Sequence, residues 1–226
     1  MQAHKPLPDE PYVQFRDRLP DALGPGDAVP DAFSRHDRMI FWAASSCVNP
    51  AQRYRRVAAL QRLLPVDTYG ACGTLTCKQN DPDCERTLRR YKFVLAFENG
   101  YCRDYVTEKY WNALDRQQIP IVSGGADYSK MAVPGSYIDV DNFTSTEELA
   151  RFVQRVGNDR ELYNSFFAWT SRLRLHRKLA DWCAICQALH DQHRPPQVYT
   201  DLKGWVADDS CPLYTVSCLW PDWLCV

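Results

Sequence analysis

An α/β fold built on a mostly parallel, Rossmann-like sheet is predicted by three observations. Short apolar runs alternate with stretches of helical spacing; residues 91–114 join a buried strand to a polar turn and a charged helix start; and no internal repeat or coiled-coil heptad is visible. Parallel neighbours need crossover connections, so this alternation places helices on both faces of the sheet. Ligands of open α/β sheets bind just beyond the carboxyl ends of the strands, which directs attention to the turns that follow them.

Taken in order, residues 1–37 are rich in Pro, Asp and Arg, lack a sustained period of two or 3.6, and are expected to form an irregular arm. A strand is expected at 39–44, then the turn Ser45-Ser46-Cys47 and a helix over 52–64 whose apolar stripe is Val57, Leu60 and Leu64. A strand at 66–69 leads into a loop holding Cys72, Cys77 and Cys84, and a short helix follows over 84–90. The run at 93–97 has strand length and ends in Glu98-Asn99-Gly100, after which Thr107-Glu108-Lys109 opens a helix. Further strands are expected at 119–122, leading into Gly124-Gly125, and at 136–140. Ser145 and Glu148 have capping-box spacing at the start of the next helix, and helices over 160–171 and 178–190 complete a domain spanning 38–192. In the tail, 193–226, Cys211, Cys218 and Cys225 are interspersed with Trp220 and Trp223, as in an extra disulfide-bonded patch or an aberrant ending.

The 226 residues carry 27 basic and 28 acidic side chains, so no electrostatic case exists for nucleic acid or an anionic membrane surface, and any phosphate binding is local. Ten cysteines, an even count, suit disulfides in an oxidising compartment, and Asn142-Phe143-Thr144 is a glycosylation sequon compatible with one. No apolar run of signal-peptide or membrane-span length occurs at the amino terminus. Nor does any G-x-G-x-x-G open a helix, which disfavours a nicotinamide-dependent dehydrogenase.

The string LAFEN followed by DYVTEK closely resembles the signature of the α1,3-fucosyltransferases, glycosyltransferase family ten. The resemblance covers residues 41–190, with VDTYGACG, IPIVSGG, PGSYIDVDNF, ELYNSFFAW and WCAICQALH in the same order, and is closest to invertebrate enzymes that fucosylate the core of N-glycans. It implies the C-terminal half of a GT-B-type glycosyltransferase that moves L-fucose from GDP-β-L-fucose to an N-acetylglucosamine hydroxyl of a glycan or glycoprotein. Inversion to an α1,3 linkage is implied too, with no tightly bound cofactor and no metal in the chemistry. The family works on the lumenal side of the Golgi, held by a span absent from this chain, and residues 1–37 become a remnant of the acceptor-side region. The general base belongs to the family's amino-terminal domain; Glu10 and Asp17 lie in no family motif, leaving the catalytic residue unassigned. The alternative is a truncated, non-catalytic GDP-fucose-binding module.

A sugar nucleotide needs cationic and N–H donors for its diphosphate and a carboxylate for its diol. Lys109 lies in the first turn of its helix, where free N–H groups favour an anion and a cation is otherwise unfavourable by about 0.3–1 kcal/mol. By resemblance Lys109 and Arg53 contact the diphosphate, Glu108 a ribose or fucose hydroxyl, and Tyr105 and Asn99 the same ligand, with Ser45 and Ser46 at the turn before the first helix. Ser46 stands where the family has Asn, and Gly100 where it has Ser or Thr. Glu98 reads as structural or nucleotide-orienting. Cys183-x-x-Cys186 has the spacing of zinc or redox sites without the further context either requires, so with Cys47, Cys72, Cys77, Cys84 and Cys102 these residues are expected in structural disulfides, free buried thiols being the alternative.

Overall fold

The structure, a computed structural model, describes residues 31–47, 53–78, 80–173, 175, 182–193, 195, 198, 200–204 and 211. Strands β1 (Arg38–Ala43), β2 (Val66–Tyr69), β3 (Tyr91–Phe97), β4 (Ile119–Ser123) and β5 (Ile138–Asp139) form one five-stranded sheet in the order β2-β1-β3-β4-β5. Every pairing is parallel, with Ile40 opposite Val66 and Phe93, Phe93 opposite Ile119, and Ile121 opposite Ile138. The connections carry α1 (Arg53–Gln61), α2 (Pro82–Leu88), α3 (Glu108–Asp115) and α4 (Tyr128–Met131); α5 (Thr146–Asn158), α6 (Arg160–Ser165), α7 (Trp182–His190) and α8 (Leu202–Gly204) follow β5. The expected Rossmann-like α/β sheet is present.

Alternation along β3 builds the two faces. Phe93, Leu95 and Phe97 enter the larger core with Val57 and Leu60 of α1 and Leu149, Val153 and Val156 of α5. Val94 packs in a cluster with Leu88 of α2 and Ala113 of α3, and Ala96 in one with Tyr110 and Leu114 of α3. Phe93 and Ile119 are fully buried, each worth roughly 1.5–3 kcal/mol relative to exposure. Strands buried on both sides read as unbroken apolar runs, which is why 93–97 and 119–122 stand out in the sequence.

Helix starts are set by local chemistry. Asp81, Asp127, Ser145 and Asp159 cap α2, α4, α5 and α6 with side-chain oxygens. The capping box at α5 is half formed: Ser145 Oγ accepts the Glu148 N–H at 3.2 Å, while the Glu148 carboxylate accepts the Thr144 N–H at 2.8 Å and hydroxyl at 2.7 Å.

Four expectations are corrected. Residues 31–37, assigned to the irregular arm, dock on the domain: Ala32 is buried in the core, Asp31 pairs with Arg160 and Asn164, and Phe33 packs edge-on against Tyr163. The last strand is two residues long, because the Ser136 hydroxyl is used in a turn with Val133 O and Val140 begins a 3-10 turn capped by Asp139. The helix expected over 160–171 stops at Ser165, where Phe166 and Phe167 donate to carbonyls three residues back and a 3-10 turn follows at Ala168–Ser171. Cysteine pairing gives Cys47–Cys72, Cys77–Cys84 and Cys102–Cys211, so Cys186 has no described partner left and is an exposed free thiol. Residues 1–30 with Glu10 and Asp17, the start of the helix expected at 178, the Cys183 side chain, and Cys218, Trp220, Trp223 and Cys225 lie outside the described residues.

Candidate functional site

The strand order contains one reversal. β1 passes through α1 to β2 on one side, whereas β3 lies on the other side of β1, so a crevice opens between the carboxyl ends of β1 and β3, where sheets of this order hold ligands. Loops 44–47, 98–107 and 124–127 border it.

Arg53, in the first turn of α1, crosses this crevice. Its Nη1 donates to Phe97 O at the end of β3 at 3.1 Å and its Nη2 to Ser46 O after β1 at 3.0 Å, over the Trp42 ring at 5.6 Å. The residue is 3% exposed and its Nε is buried without a hydrogen-bond partner. Burial pushes the guanidinium pKa down, and Glu98, Tyr105 and Glu108 oppose that shift, so their charges converge on Arg53.

Glu98, 1% exposed, is the pivot of the other wall. Its backbone N–H donates to Ser123 O at 2.9 Å, extending the β3–β4 pairing, and its Oε1 accepts the Thr107 N–H and hydroxyl, each at 2.9 Å. Oε2 accepts Lys109 Nζ at 2.9 Å, and the same ammonium donates to Thr107 Oγ1 at 2.7 Å. Lys109 therefore has local partners that offset the cost of a cation in the first turn. Its side chain remains 20% exposed, beside Glu108 Oε1 at 3.4 Å. Lys109 and the first-turn backbone of α3 face the same strand ends as Arg53.

Gly124 and Gly125 permit this closeness. A Cβ on Gly124 would lie 3.2 Å from Glu98 Cγ, and one on Gly125 would strike the Tyr101 carbonyl carbon at 2.5 Å. Two disulfides brace the rim: Cys47–Cys72 joins the loops after β1 and β2, and Cys102–Cys211 ties the loop before α3 to the tail.

The structure thus sets Lys109 on Glu98 with Glu108 beside it, and places Glu98, Tyr105 and Glu108 within electrostatic reach of Arg53. Ser46 contributes its carbonyl, while Ser45 and Asn99 lie exposed in the bordering loops. Sequence reasoning passed over a second group. Arg56, half-buried, hydrogen-bonds Ser123 Oγ and lies 5.2 Å over the Tyr101 ring, and the Tyr101 hydroxyl meets Ser123 Oγ at 2.8 Å. Asp141, just past β5, is crowded by the surrounding protein, which raises its pKa, and Arg56 opposes that rise. Arg56 following Arg53 at helical spacing was the available signal. A separate cavity of about 310 Å³ lies at the β2 edge beside Cys77–Cys84, lined by Tyr69, Lys78, Asp81 and Thr87 among others. No group of three metal-ligating side chains occurs among the described residues, nor does any described helix have the length and apolarity to cross a membrane.

Residues 33–205 match the model for the C-terminal part of glycosyltransferase family 10 (fucosyltransferase). The chain is 41% identical over 204 residues to alpha-(1,3)-fucosyltransferase C of Drosophila melanogaster, covering 89% of this chain and 46% of that protein. It is 42% identical over 175 residues to glycoprotein 3-alpha-L-fucosyltransferase A of the same species, covering 74% of this chain and 35% of that one. The crystal structure of an α1,3-fucosyltransferase with GDP superposes with a TM-score of 0.51 at 28% identity, over 62% of this chain and 40% of the other. The chain spans about half or less of the length of these proteins. On the match to most of its length and on its parallel GT-B-type sheet, it belongs to glycosyltransferase family 10, the fucosyltransferases.

Proposed function

We propose that this chain is the donor-binding part of an α1,3-fucosyltransferase, holding GDP-β-L-fucose in the crevice between β1 and β3 for transfer to an N-acetylglucosamine hydroxyl of a glycan with inversion. The observation that carries the proposal is the convergence of Arg53, Lys109 and the start of α3 on one strand-end crevice at the sheet's reversal. The 28%-identical α1,3-fucosyltransferase was crystallised with GDP, and the Drosophila relatives are fucosyltransferases by name; both facts agree with this reading.

In this reading Lys109 binds a phosphate oxygen, exchanging part of its contact with Glu98, and the α3 amides add N–H donors. Arg53 supplies fixed positive charge as the β-phosphate departs, held in place by Phe97 O and Ser46 O. Glu108, whose side chain is 69% exposed, accepts from a ribose or fucose hydroxyl, with Tyr105 and Asn99 beside it. Positive side chains, rather than a metal, balance the diphosphate, and a lumenal Golgi setting suits the three described disulfides.

A second reading, binding without transfer, is favoured by the state of Glu98. A general base must reach the acceptor hydroxyl, yet this carboxylate is buried and engaged by Thr107 and Lys109. Calorimetry with GDP-fucose and a transfer assay on an N-acetylglucosamine-terminated glycan separate the two, with Lys109→Ala as control. Saturable binding, weakened about 10- to 100-fold by that variant, is expected. Transfer supports the first reading and its absence the second; no binding by the unmutated, oxidised chain contradicts both.

A further inference from the structure

We infer that Arg56 and Asp141, together with Tyr101, form a sugar-hydroxyl subsite bordering the nucleotide crevice, and that Arg56 is a specificity-determining residue there. The inference rests on the proposed GDP-fucose reading. Four separate segments meet at this point: α1 brings Arg56, the loop after β3 brings Tyr101, the end of β4 brings Ser123 and the turn after β5 brings Asp141. Asp139 pairs in register with Val122, the residue before Ser123, and its carboxylate accepts the Asp141 N–H at 3.0 Å, which sets Asp141 beside the carboxyl end of β4.

Arg53 and Arg56 share the start of one helix but differ in surroundings. Arg53 is sealed beneath the loops and spends both terminal nitrogens on backbone carbonyls. Arg56 is half-buried, and its guanidinium carbon lies 5.2 Å from the centre of the Tyr101 ring with Nη1 on Ser123. Five N–H donors in a rigid fork exceed what one hydroxyl and the Tyr101 side chain use, so the remaining donors serve an incoming oxygen. Asp141 is exposed as a residue although its carboxylate is partly hemmed in, and its charge acts on Tyr101 and Tyr128 as well as being opposed by Arg56. A donor fork, an aromatic ring and an acceptor carboxylate in one neighbourhood suit adjoining hydroxyls of a sugar, each of which accepts from the guanidinium and donates to the carboxylate. The backbone beneath is fixed by Gly125 against the Tyr101 carbonyl carbon and by the adjoining Cys102–Cys211 bond.

The sugar comes from the donor's hexose or from the acceptor, and one experiment distinguishes them. Calorimetry on the oxidised 226-residue chain with GDP and with GDP-fucose compares the unmutated protein with Arg56→Ala, Arg56→Lys and Asp141→Asn, each first checked for an unchanged thermal midpoint. Asp141→Asn alters an exposed residue and keeps the test available if Arg56→Ala fails to fold. For a donor-hexose subsite, GDP affinity stays within about twofold while GDP-fucose binding weakens about tenfold in Arg56→Ala and Asp141→Asn, and Arg56→Lys recovers part of the loss. For an acceptor subsite, both nucleotide affinities hold and saturation transfer to an N-acetylglucosamine disaccharide in the GDP complex is lost in the variants. Equal weakening of GDP and GDP-fucose assigns these residues to the nucleotide and overturns the inference, as does unchanged binding of all three ligands. Failure of the unmutated chain to bind GDP removes the functional reading and this inference with it.

Discussion

Glu98 is where structure and proposed chemistry are most tightly joined. A carboxylate buried to this degree is tolerated because Thr107 and Lys109 give it three donor groups, and it in turn satisfies the amide at the mouth of α3. Replacement by alanine leaves the Thr107 N–H and an ammonium without their main acceptor. Glu98→Ala is expected to cost about 3 kcal/mol of unfolding free energy, measured by urea titration, and Glu98→Gln less because its amide oxygen still accepts from Thr107. A loss within a few tenths of a kcal/mol would show that water replaces the carboxylate without penalty, contrary to this role. Part of the residue-level arrangement was legible in the sequence: the strand, turn and helix start that carry Glu98, Glu108 and Lys109 lie close to where the pattern places them, with Lys109 on Glu98. The partners were not, because Phe97 O and Ser46 O are backbone atoms whose proximity to Arg53 follows only from the sheet order. Arg56, Ser123 and Asp141 come together across 85 residues of chain, and no local pattern in any one of them announces the others.

At the scale of elements, the strands were legible where both faces are buried and less so where a turn competes. Residues 93–97 and 119–122 read as apolar runs because both faces of these strands are buried, whereas β5 shortens once Ser136 and Asp139 bond their own turns. The four-residue α4 is barely more than one turn, too short for an apolar repeat, and only the Asp127 cap announces it. His36 shows how elements are joined: its Nδ1 meets Arg89 O at 2.9 Å and its Nε2 meets Gln117 O at 2.8 Å, linking the approach to β1 with the ends of α2 and α3. Burial lowers its pKa from the ordinary 6.5, with Lys92 and Arg35 adding repulsion, against the raising effect of the two carbonyls. A lowered folded pKa means that the unfolded chain binds more protons in the titration window, so the stabilisation is complete above the unfolded value and lost as pH falls through it. Thermal unfolding is therefore expected at lower temperature as pH drops from about 7.5 to 5.5, and His36→Gln should flatten that contribution. A steeper fall in the variant would contradict the assignment.

Over the whole molecule, the described domain is a covered parallel sheet whose strand-end loops are tied by disulfides. Cys102–Cys211 spans 109 residues, and loops of this size gain about 4–5 kcal/mol from chain entropy when the native geometry is relaxed. Cys211→Ser is expected to lower the unfolding midpoint and to speed amide exchange in residues 100–106, next to the crevice; unchanged exchange there would show that the tail link does not hold this loop. The even cysteine count announced disulfides but not this pairing, since Cys211 lies in a tail where the sequence offered no pattern to align with the signature loop. The most direct test of the central claim is hydrogen exchange measured on the oxidised chain with and without GDP. Ligand at the β1/β3 reversal protects the amides of residues 44–47 and 98–110, with the same nucleotide concentration having little effect on Lys109→Ala. Protection confined instead to the β2–α2 edge around Thr76, Lys78 and Asp81, which line the separate cavity, would contradict the placement of the nucleotide between β1 and β3.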